Sequence, residues 1–93
     1  MRIDLGKTYT ITVGCCSVEL ALTTLQAAKV QGATVVKAYG LWKGEVELSC
    51  QVIIAGISKE DAIDVAETLR QGADQESVML TSPDGTSELL DGK

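Results

Sequence analysis

The sequence predicts a single α+β domain whose elements run strand, helix, strand, strand, helix, strand, and three observations carry that expectation. Apolar and polar residues alternate strictly over residues 8–13 and 45–52, the period of half-buried strands. Apolar residues recur at helical spacing behind serines that suit helix N-caps, at Ser17 and Ser58. No linker, repeat or low-complexity stretch divides the chain, so residues 1–93 form one domain.

In the first strand Tyr9, Ile11 and Val13 share one face and Thr8, Thr10 and Thr12 the other, up to Gly14. Ser17 caps a helix whose apolar stripe is Val18, Ala21, Leu22, Leu25 and Ala28, with Gly32 as its stop signal. Thr34 to Tyr39 is a second strand. After Gly40-Leu41-Trp42-Lys43-Gly44 the chain returns as a third, with Val46, Leu48, Cys50, Val52 and Ile54 alternating against Glu45, Glu47, Ser49 and Gln51. Ser58-Lys59-Glu60-Asp61 is a capping signature for a second helix, which has Ala62, Val65, Ala66 and Leu69 on one face and Gly72 just past its end. Glu76 to Thr81 is a fourth strand, and the Ser82-Pro83-Asp84-Gly85 turn allows a short fifth over Thr86 to Leu90, leaving Asp91 to Lys93 to fray.

Two strand-helix-strand halves joined by a hairpin point to a ferredoxin-like βαββαβ sandwich, an antiparallel sheet with both helices on one face. The other face, carrying the threonines of the first strand and Glu45, Glu47, Ser49 and Gln51 of the third, is polar enough to meet water. Tyr39 is the one aromatic whose register could place it there.

Gly32 to Gly44, with Glu47, Ser49 and Val52, and the run Gln75-Glu76-Ser77-Val78-Met79-Leu80 resemble a family of small bacterial α+β proteins of unknown function. The resemblance covers roughly half the chain, Gly40-x-Trp42 and Gln-Glu-Ser-Val being its closest pieces, and it implies no mechanism. Members of that family are often exported and carry more aromatics before the hairpin, whereas this chain has no Phe.

Composition narrows the function classes. The net charge is −5, and it is unevenly placed: residues 1–45 hold five basic against three acidic side chains, residues 46–93 three against ten. With only Arg2 and Arg70 as arginines, the chain lacks the basic stripe that neutralises nucleic-acid phosphates. Neither an N-terminal apolar run of signal length nor an apolar span of membrane length occurs, and three cysteines, two adjacent, make a poor disulfide framework. The expectation is a cytoplasmic protein with free thiols, no direct nucleic-acid contact and no membrane contact.

The chain has no histidine, which removes Ser/His and Cys/His nucleophile pairs and the commonest general base. No catalytic set, metal site or cofactor is expected. Cys16, just ahead of the first helix, is the most plausible reactive thiol, against the plainer reading that one cysteine of the pair packs inward while the other fills a turn. Cys50 belongs to the core. Gly14-Cys15-Cys16-Ser17 places a glycine turn at a helix N-terminus, a candidate anion-binding segment that Lys7 or Lys37 could assist. Trp42 beside Lys43 near the hairpin tip, with Tyr39, is a candidate partner anchor, or else Trp42 folds over the sheet edge. Glu60, Asp64 and Glu67 form an acidic line on the second helix that suits a basic partner or simply faces solvent.

These features favour a non-enzymatic interaction protein, acting as a homodimer through sheet edges or the hairpin, that binds and inhibits another macromolecule. Inhibitors encoded by phages and mobile elements to block bacterial defence are one such class. The alternatives are a sponge for a nucleotide or phosphate and a minor thiol enzyme using Cys16.

Overall fold

A computed structural model describes residues 1–92. Its elements are β1 (Thr8–Gly14), α1 (Val18–Ala27), β2 (Thr34–Trp42), β3 (Glu45–Ala55), α2 (Lys59–Gly72), β4 (Ser77–Thr81) and β5 (Ser87–Asp91). All five strands form one antiparallel sheet in the order β2-β3-β1-β4-β5. The expected six elements are present in their expected order and the fifth strand follows them, so the order is βαββαββ. Asp91 ends β5 rather than fraying, and Gly92 N–H donates to Glu76 O at 3.0 Å; Lys93, the last residue of the tail expected to fray, lies outside the described residues.

Alternation decides which face is covered. Tyr9, Ile11 and Val13 pair with Ile54, Val52 and Cys50, and all six are buried beneath the helices. Ala21 and Leu25 of α1 and Ala62, Ala66 and Leu69 of α2 close over them, and the two helices touch each other. The small alanines allow this close approach. Gly72 does too: a Cβ there would lie 3.0 Å from Thr24 Oγ1, so it ends α2 against α1 instead of standing beyond the helix as its sequence position suggested. Leu22 and Ala28, expected in the stripe of α1, are exposed. That helix stops at Ala27, short of Gly32, because Lys29 takes the left-handed conformation (φ 59°) and Val30 N–H donates to Leu25 O at 3.0 Å, a Schellman closure without glycine. Both serine caps are as expected: Ser17 Oγ accepts from Leu20 N–H and Ser58 Oγ from Asp61 N–H, each at 3.1 Å.

The largest departure is the hairpin. β2 runs three residues beyond Tyr39, through Gly40, Leu41 and Trp42, and the reversal is the two-residue turn Lys43-Gly44, both with positive φ (49° and 80°). A turn of that kind matches the right-handed strand twist, so pairing continues to Trp42–Glu45. The hairpin tip stands clear of the helices and leaves Tyr39, Leu41, Trp42 and Val46 exposed. Among the described residues no helix is long and apolar enough to cross a membrane.

Cys16 and Cys50 are buried together under α1. Burial pushes the Cys50 thiol from the usual 9.0 up to about 12, with a hydrogen bond and charge interaction from Cys16 adding to the rise. A thiol whose value is raised by folding stabilises the fold fully below pH 9.0 and loses that contribution as pH rises toward about 12. Denaturant unfolding under reducing conditions should therefore show stability falling above pH 9, by up to about 1.4 kcal/mol per pH unit from this group. The Cys50→Ala variant should show a flatter dependence over that window. Parallel profiles would mean that Cys50 titrates alike in both states.

Candidate functional site

Glu47 is the acidic side chain that the fold treats unusually. It stands on the open face of β3, opposite Gly40 of β2 and one strand from Gly14 at the end of β1. A Cβ at residue 14 would lie 2.6 Å from Glu47 Oε1, and one at residue 40 would lie 3.6 Å from Glu47 Cγ. Glycines on both flanks thus make the space that the Glu47 side chain occupies. Ser49, its neighbour on the same face, is buried at 3% exposure, and its Oγ lies 3.6 Å from where a Gly40 Cβ would be.

Two turns complete the surroundings. After Gly14 the chain bends at Cys15 (φ 51°), a conformation that costs a non-glycine residue on the order of 1 kcal/mol. Cys15 N–H donates to Leu48 O at 2.8 Å, and its thiol donates to Glu47 Oε2 at 3.7 Å. At the far end of α2, Asp74 (φ 53°) and the bond from Gln75 N–H to Arg70 O at 3.0 Å form a second Schellman closure. This turn brings Gln75 Oε1 to 3.7 Å from the Cβ position at Gly14. Arg70 Nη1 holds the turn by donating to Gln75 O at 2.9 Å, while its Nε donates to Glu67 Oε2 at 2.9 Å.

Trp42 lies on the same open face as Glu47. It pairs with Glu45, two residues from Glu47, and the next position along β2 on that face is Gly40. Trp42 is 60% exposed, with Lys43 Nζ 5.8 Å from the centre of its ring. Trp42 therefore does not fold over the core. Tyr39 pairs with Leu48 and so points to the helix side of the sheet, not to the open face that its register suggested. The anchor set Tyr39, Trp42 and Lys43 is thus split across the two faces of the hairpin.

The other sequence candidates are separated. Cys16 is 1% exposed, which seals it from solution, whereas Cys15 is the exposed thiol. Of the segment Gly14 to Ser17, Gly14 and Cys15 join Glu47, and Ser17 is engaged in capping α1. Lys7 precedes β1 at its opposite end and Lys37 pairs with Cys50 on the helix side, so neither assists that segment. Glu60 and Asp64 are exposed on α2, but Glu67 is held by Arg70 and Gln71, and the hydrogen bond from Arg70 lowers its pKa. Among the described residues no three His, Cys, Asp or Glu side chains gather as a metal site.

Among solved structures, a phage SAM lyase in its apo state is similar to this chain at 24% identity and a TM-score of 0.75, covering 100% of this chain and 95% of that one. The PII protein of Arabidopsis thaliana bound to citrate is similar at 15% identity and a TM-score of 0.49, covering 91% of this chain and 75% of that one. No family model matches the chain, and no curated protein matches it. The first of these likenesses shows a shared fold from end to end.

It also corrects the expectation of a non-enzymatic protein, because the structure that the whole chain resembles is that of an enzyme. The lack of histidine excludes imidazole catalysis, not catalysis as such. Sequence patterning also missed Glu47, Gly40, Ser49 and Gln75. Glu47 alternates with apolar residues like any solvated strand position, and only the pairing with Gly40, which needs β2 to continue through Trp42, singles it out.

Proposed function

We propose that this chain is a lyase that breaks a carbon–sulfur bond of S-adenosylmethionine. The observation that carries the reading is the end-to-end likeness to a phage SAM lyase, combined with a glycine-flanked carboxylate on the open face suited to a cationic substrate. The chemistry needs neither imidazole nor metal. The sulfur of a sulfonium departs as a neutral thioether and requires no proton.

A route without water is available within the substrate. The substrate's own carboxylate oxygen attacks Cγ, the new O–Cγ bond forms as the Cγ–S bond breaks, and the electron pair stays on sulfur. The products are homoserine lactone and 5′-methylthioadenosine, and no proton is transferred. Opposite charges merge in this step, so shielding it from water favours it. In this reading the Glu47 carboxylate accepts hydrogen bonds from the substrate's α-ammonium, which keeps its charge throughout, so the contact persists into the transition state. The substrate carboxylate is then left turned toward Cγ. Gln75 borders the same space, and the Cys15 thiol, donating to Glu47 Oε2, keeps the Glu47 side chain in place.

The inhibitory role expected from the sequence fits this activity by another route. Destroying a shared methyl donor would disable the enzymes that depend on it, without contact between the two proteins. Kinetics of Glu47→Gln test the site: losing a charge-assisted hydrogen bond worth about 1.5–3 kcal/mol should lower kcat/KM by roughly 10- to 150-fold. Wild-type kinetics in that variant would remove Glu47 from the site.

A further inference from the structure

We infer that Trp42 is the platform for the adenine base, so that substrate lies lengthwise along the open face from the hairpin tip to Glu47. This rests on the lyase reading above. The strand register sets the layout. Trp42–Glu45, Gly40–Glu47 and Ala38–Ser49–Gly14 are successive rows of side chains on one face. Four residues separate the Trp42 row from the Gly14 row, about 14 Å at about 3.4 Å per residue. The Glu47 carboxylate reaches toward the Gly14 end of this track, because its Oε1 is the atom that a Cβ at Gly14 would strike at 2.6 Å.

The indole and the carboxylate thus stand at opposite ends of a track whose middle position on β2 is Gly40, where the lack of a side chain lets Glu47 lie close along the sheet with its carboxylate directed away from Trp42. S-adenosylmethionine has the matching order: a flat base, then ribose, sulfonium and, at the far end, the ammonium of the amino acid. An exposed indole offers a stacking surface to the base and an electron-rich face to a nearby cation. The other two aromatics do not serve this face: Tyr9 is buried and Tyr39 points to the helix side.

Trp42 is the sole tryptophan, so its fluorescence reports on this position alone. Titration of the wild-type protein with S-adenosylhomocysteine, which carries the base without a sulfonium and does not react, should give saturable quenching. Methionine should give none. In turnover, Trp42→Ala should raise KM for S-adenosylmethionine by roughly 5- to 100-fold with little change in kcat, and Trp42→Phe should restore most of the loss. Consumption of S-adenosylmethionine by wild type, with unchanged fluorescence on titration and an unchanged KM in Trp42→Ala, overturns the platform and leaves the lyase standing. Failure of wild type to consume S-adenosylmethionine overturns the lyase, and the platform with it.

Discussion

Gly14→Ala is expected to lower the consumption of S-adenosylmethionine by about 100-fold while leaving the fold intact. The new methyl group would stand 2.6 Å from Glu47 Oε1, inside any normal contact distance, so one of the two must move. The backbone at Gly14 lies in a strand and lacks a positive φ, so alanine is tolerated there without strain. The atom that yields is the far end of a flexible side chain, which costs the fold little. A displacement of about 1 Å in a group that positions substrate is enough for a loss of about 10²-fold. Circular dichroism and thermal unfolding should match wild type while the rate falls. An active Gly14→Ala enzyme would mean that the position of the Glu47 carboxylate does not matter to the reaction.

The largest effect on stability is expected from Ile11→Ala. Ile11 is fully buried on the central strand, flanked by Val52 of β3 and Leu80 of β4, both also fully buried. Removing its branched side chain there loses transfer energy and leaves a cavity, together about 2–5 kcal/mol. A domain of this size has only about 5–15 kcal/mol to lose. At about 4–8 °C per kcal/mol, the melting temperature should fall by about 8–40 °C, and calorimetry measures it directly. A fall of less than about 3 °C would mean that neighbouring aliphatic side chains refill the space, in a core that contains no phenylalanine to hold a fixed shape.

The strands and helix starts were legible because alternation and serine caps are local signals. Tyr9, Ile11 and Val13 alternate with threonines, and those threonines do face the open side. Ser17 and Ser58 announced their helices through side-chain chemistry that acts within three residues. Helix ends were less legible, because Lys29 and Asp74 adopt the left-handed conformation usually left to glycine, and nothing in their own chemistry signals it. Gly32 and Gly72 were natural stop signals, yet one lies beyond the closure and the other serves helix–helix contact.

The candidate site was the least legible part, since it is made by registers between strands distant in sequence. Gly14 and Cys15 were singled out for a helix N-terminus, whereas their relevant neighbour is Glu47, more than thirty residues away. Trp42 was singled out by rarity, but its face depends on where the hairpin turns. Placing the turn at Lys43-Gly44 rather than over Gly40 to Gly44 carries Trp42 onto the open face with Glu47, and Tyr39 onto the other.

The most direct test of the central claim is incubation of the purified protein with S-adenosylmethionine, followed by mass spectrometry of the products. The lyase reading predicts 5′-methylthioadenosine and homoserine lactone in equal amounts, without added metal or cofactor. Unchanged S-adenosylmethionine at high protein concentration would contradict it.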